Sequence, residues 1–134
     1  MNKTKWQIAL LVTVLIVANL ACGFSASTAK IKSAVMARDS EAADPTTTFA
    51  QDDDFYCVVE LANAPDDTKI KAVWTAVEAE NTDPNFYIDE AEITQGSGTL
   101  NFSLTNNNLW PLGKYKVDLY LNDKLTQTLE FQVQ

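Results

Sequence analysis

The chain has 134 residues, with 18 acidic against 10 basic side chains, a formal net charge of −8 and no histidine at all. Such acidity repels phosphate backbones and argues against nucleic acid as a partner. Without histidine there is no Ser-His-Asp or Cys-His catalysis and no imidazole metal ligand.

Lys3 and Lys5 precede the largely apolar run from Ile8 to Ala18, and small residues follow up to Cys22. That order is a signal peptide over residues 1–21. The run falls short of the ~20 apolar residues that cross a bilayer, and no later segment approaches that length. An uncleaved spanning segment is the competing reading. Asn19-Leu20-Ala21-Cys22-Gly23 resembles the lipobox of bacterial lipoproteins, in which a Cys behind a small residue is lipidated and becomes the mature N-terminus. Ala21 and Cys22 match, while Asn19 stands where the family usually carries Leu or another aliphatic. The resemblance implies lipid on Cys22, a membrane held through that lipid, and a domain in the cell envelope outside the cytoplasm. Ser25-Ala26-Ser27 offers a rival cut for ordinary secretion, with Cys22 then a spectator in a removed leader. With Cys22 lipidated, Cys57 has no cysteine to pair with, so the fold must rest on its hydrophobic core. Residues 22–30 are mostly small and polar and suit a tether, which at ~3.3 Å per residue spans a few tens of ångströms.

One domain occupies residues 31–134. Its first stretch, Ile31 to Arg38, reads as a strand with Ile31, Ser33, Val35 and Ala37 alternating, although Ile31, Ala34, Val35 and Arg38 also fit one helical face. Asp39 to Asp54 is a polar, acidic loop that Phe49 should pin to the core. From residue 55 the period of two is clean: Phe55, Cys57, Val59 and Leu61 share one face, and Ile70, Ala72, Trp74 and Ala76 share the next. Phe86 to Thr94 is the weakest strand, with Phe86, Ile88 and Ile93 as its inward candidates. Leu100, Phe102 and Leu104 alternate with polar residues. Tyr115-Val117-Leu119-Leu121 and Leu125-Leu129-Phe131-Val133 flank Asn122-Asp123, a tight-hairpin signal. Six or seven short strands with turns at this spacing predict an all-β, antiparallel sandwich.

Cys57 and Trp74 face inward on successive strands, and Gly113-Lys114-Tyr115-Lys116-Val117 resembles the tyrosine corner of immunoglobulin domains. The resemblance implies an immunoglobulin-like β-sandwich of about seven strands over residues 31–134, in which Cys57 and Val117 replace the inter-sheet disulfide by apolar contact. Trp74 and Tyr115 as ordinary core aromatics of another sandwich is the plainer alternative. The layout also resembles small bacterial lipoproteins with one immunoglobulin-like domain.

Catalytic and cofactor signals are sparse. Cys57 sits among apolar neighbours, which raise rather than lower a thiol pKa. Gly96-Ser97-Gly98 precedes a strand rather than a helix, so no phosphate loop is encoded and no cofactor is expected. Asp39, Glu41, Asp44 and Asp52-Asp53-Asp54 supply hard oxygens that a calcium ion accepts, yet they match no EF-hand spacing, and solvated acidic loops are common. The expectation is a non-catalytic binding or structural module on the cell surface, with a protein or glycan partner. An inhibitor or accessory subunit of an exported enzyme such as a protease is the second reading. Alternating strands place the connections 39–54, 80–86 and 105–114 at the end far from the tether. Trp110, Phe86 and the run around Asn107 are there as candidate contacts, unless Trp110 folds over the core as a lid.

Overall fold

Period-two alternation of large apolar side chains with polar ones gives each strand one face to bury, and two such faces close on each other. The computed structural model describes residues 28–134; the expected leader 1–21, Cys22 and most of the expected tether lie outside the described residues. Among the described residues eight strands form two sheets: β1 (Lys30–Ala37), β2 (Thr48–Phe49), β3 (Phe55–Ala62), β4 (Lys69–Ala79), β5 (Phe86–Thr94), β6 (Gly98–Leu104), β7 (Gly113–Leu121) and β8 (Lys124–Val133). The three-stranded sheet runs β1-β3-β6 and the five-stranded sheet β2-β8-β7-β4-β5. All pairings are antiparallel except that of β2 with β8. The fold is the expected immunoglobulin-like β-sandwich, with β2 as a strand that no local pattern announced.

The inward faces of β3, β4, β6 and β7 are those that the alternation picks out, from Phe55 and Cys57 to Trp74, Phe102 and Val117, all buried. Phe55 is the hub of the aromatic core. Its ring lies 4.9 Å from Phe49, 4.8 Å from Phe131 and 4.6 Å from Trp110, with Trp74 and Tyr115 beyond. Phe49 does pin the acidic loop to this core.

Irregularities interrupt three strands and correct the expected faces of two of them, β1 and β8. A β-bulge between Ile31 and Ser33 shifts β1, so that Ile31, Ala34 and Met36 turn inward while Ser33 and Val35 face solvent. An extra residue between Asp89 and Tyr87 interrupts β5, where Ile88 and Ile93 pack against the core as expected while Phe86, paired with Ala76 at the sheet edge, is 51% exposed rather than buried. A third shift, at Leu119/Tyr120, sets Leu125 opposite Tyr120 and leaves it exposed. Each bulge adds one residue to one strand and so reverses the faces beyond it.

Asn122 and Asp123 both adopt positive φ, 48° and 67°, the conformation of the expected two-residue hairpin. Gly113 has φ 148°, and a Cβ there would lie 2.1 Å from the Glu78 carbonyl oxygen. Only glycine lets β7 begin this close to the end of β4.

Candidate functional site

The strands sort the loops into two ends. At one end Ala64 N–H donates to Ser97 Oγ (2.9 Å), Gln95 N–H to Thr68 O (3.0 Å) and Asn122 N–H to Lys69 O (2.9 Å). The chain enters the domain there, where the Thr28 hydroxyl donates to Asn63 O at 3.0 Å. At the far end Trp110 N–H donates to Gln51 O, Gln51 Nε2 returns a bond to Trp110 O, and Glu80 N–H donates to Leu112 O, all at 2.9 Å. The loops 39–54, 80–86 and 105–114 therefore gather away from the entry point, as the alternation predicts.

Trp110 is a lid rather than an exposed contact. It is 6% exposed, its ring stacks on Phe55, and its indole N–H donates to Asp53 O at 3.0 Å. Trp-Pro in a polar loop allowed both placements; an apolar core open at its end, with Phe55 as platform, selects burial. Below it the Tyr115 hydroxyl donates to Pro111 O at 2.5 Å, closing the tyrosine corner. Burial pushes the Tyr115 phenol up to about 12.

The other two expected contact residues are at the surface. Asn107 is exposed between Asn106 and Asn108, whose N–H donates to Asn106 Oδ1 at 3.2 Å. Phe86 forms one lip of a small notch of about 130 Å³, with Thr82, Ile88, Asn106, Trp110 and Pro111 among its walls. Sequence reasoning missed the notch, because its walls come from separate segments. Leu109, next in the chain to Trp110, is 63% exposed.

The acidic loop is internally engaged. Arg38 donates to Asp53 (3.2 Å), Asp44 (3.2 Å) and Thr48 O (2.8 Å), and its guanidinium lies over Phe49. The bonds to Asp53 and then Asp44 raise the Arg38 pKa. Asp39 accepts from the N–H groups of Ala43 and Asp44, and Asp53 accepts from that of Ala50. Among the described residues no three or more acidic or cysteine side chains converge on a possible metal position. Cys57 is fully buried, and desolvation pushes its thiol up to about 12, so at neutral pH it is protonated and shielded from reagents.

A second depression, of about 570 Å³, lies where the free edges of β1 and β8 face each other; Val35, Pro45, Thr46, Gln127, Leu129 and Glu130 line it. Among the described residues β8 is paired on that edge only at Gln132 and Val133.

No family model and no curated protein matches this chain. Solved structures share its fold. An alkylpurine DNA glycosylase from Pseudomonas fluorescens, bound to DNA containing an abasic site analogue, matches with a TM-score of 0.52 at 12% identity over 81% of this chain. A mutant β-glucosidase from Listeria innocua in complex with laminaribiose matches with a TM-score of 0.50 at 16% identity over 84% of this chain. The chain spans only 31% of the glycosylase and 17% of the glucosidase. An immunoglobulin-like protein from Pseudomonas aeruginosa matches with a TM-score of 0.50 at 14% identity, over 82% of this chain and 99% of that one. At these identities the likeness defines the class alone, an immunoglobulin-like β-sandwich.

Proposed function

We propose that the chain is an exported, lipid-anchored protein of the cell envelope, and that its immunoglobulin-like domain is a non-catalytic module that binds a partner through its far end. The single observation that carries this reading is the polarity of the domain. The chain enters beside Asn63, while exposed Phe86, Leu109 and the Asn106–Asn108 run lie at the opposite end. From Cys22 to Thr28 the chain reaches about 20 Å, so a lipid on Cys22 holds the entry end near the bilayer and turns the other end outward. The lipobox-like Ala21-Cys22 behind the apolar run supports the anchor. Among the described residues no helix is long and apolar enough to cross a membrane.

The test compares native protein with Cys22→Ala for labelled fatty-acid incorporation and membrane fractionation. Loss of label together with release from membranes is the expected result. Equal membrane retention by Cys22→Ala points to an uncleaved spanning segment and overturns the lipid anchor.

A further inference from the structure

We infer that the far-end notch seats one apolar side chain from a basic segment of a protein partner. The inference rests on the reading of the domain as a binding module and names what that end takes. At about 130 Å³ the notch holds the equivalent of roughly four waters, each taking ~30 Å³ of liquid, which is the space of one aliphatic side chain. Its walls are Phe86, Ile88, Trp110, Pro111, Ala76 and Tyr115, with Thr82 and Asn106 beside them, and the surface they present is almost wholly apolar. Water in such a hollow has few partners, and an apolar group that displaces it gains by the hydrophobic effect. A sugar needs several converging polar groups, and this hollow lacks them.

Charge around the notch selects the partner. Thr82 is flanked within its loop by Glu80 and Asp83, Asp89 follows Ile88, and Asp52 and Asp54 flank the residue whose carbonyl receives the Trp110 indole. Glu80, Asp83, Asp89, Asp52 and Asp54 are all exposed. The nearby cations are already engaged or face acids: Arg38 pairs with Asp44 and Asp53, and Lys114 shares a hollow with Glu78 and Glu80. An apolar seat at an acidic end of the domain complements a Leu-type side chain flanked by Lys or Arg, and that end repels an acidic segment.

The test titrates isotope-labelled full-chain protein, extracted from membranes in detergent, with the peptide acetyl-Lys-Arg-Leu-Lys-Arg-amide at low salt. Expected are amide shifts confined to residues 52–54, 80–89 and 104–115, together with a shift of the Trp110 indole N–H. Exchanging the peptide Leu for Ser should weaken binding about tenfold, as should Phe86→Ser in the protein, a surface change that leaves the core intact. Glu80→Gln combined with Asp83→Asn should weaken it about three- to tenfold. Equal binding of the Leu and Ser peptides overturns the inference, since charge alone then suffices. Shifts confined to the depression between β1 and β8 also overturn it, while leaving the domain a binding module. No shift with any peptide removes the notch as a seat, and the Cys22→Ala fractionation still decides the anchor independently.

Discussion

Replacing Trp110 with Ala separates a lid from a contact surface. Trp110 is 6% exposed, its ring stacks on Phe55 at 4.6 Å, and its indole N–H donates to Asp53 O. Truncating a buried Trp to Ala costs about 3–5 kcal/mol in lost transfer energy and residual cavity. For a domain of this size each kcal/mol moves the melting temperature by roughly 4–5 °C, so Trp110→Ala should lower Tm by about 12–25 °C. Trp110→Phe keeps a ring on Phe55 and loses the bond to Asp53; it should cost about 1–2 kcal/mol. Thermal and urea melts followed by circular dichroism read both values. A Tm loss below about 5 °C for Trp110→Ala would refute the lid and return Trp110 to the contact surface.

Three further outcomes concern Cys57, Tyr115 and Gly113. Cys57 in the folded protein has its pKa raised from 9.0 to about 12, so above pH 9 the unfolded chain holds fewer protons than the folded one. Stability should therefore fall as pH rises from about 9 towards about 12, with Cys57 contributing roughly 2 kcal/mol of the loss at pH ~10.5; Cys57→Ala should remove the fall between pH ~9 and ~10 in urea melts and leave the part that the raised Tyr115 phenol adds above pH ~10. Tyr115→Phe removes the bond to Pro111 O and should cost about 1–1.5 kcal/mol, since half-buried Pro111 partly regains water; an unchanged urea midpoint would contradict the tyrosine corner. Gly113→Ala drives a Cβ into the Glu78 carbonyl and should cost more than about 2 kcal/mol. Gly98→Ala meets only Gln95 Nε2 at 3.9 Å and should cost about 1 kcal/mol from its φ of 142° alone, so equal costs would show that crowding at Gly113 is relieved.

What could be read from residue order was the period-two core. Phe55, Cys57, Ile70, Trp74, Phe102 and Val117 are inward because alternation within a regular strand leaves no other choice. Alternation fails where a strand gains a residue. The faces of Ser33 and Val35 reversed across the β1 bulge, and Leu125 turned outward where β8 breaks register, because bulges depend on the partner strand rather than on local sequence. β2 is two residues long and pairs with β8 more than 80 positions away, a contact with no local signature. Asp89 pairs opposite inward Trp74 on an edge strand and remains exposed, so the acidic run that made β5 the weakest strand also discourages pairing with another chain. The site was legible only as an end: strand alternation brought the loops of Phe86, Asn107 and Trp110 together, whereas the notch and the burial of Trp110 depend on Phe55, Ile88 and Pro111 meeting in three dimensions.

In the proposed reading, outward display of that end depends on lipid at Cys22, and the intact mass of the protein extracted from membranes tests this most directly. A mature chain beginning at Cys22 and carrying acyl groups is the predicted result. A chain beginning at Thr28, or an unmodified chain that retains residues 1–21, would contradict it.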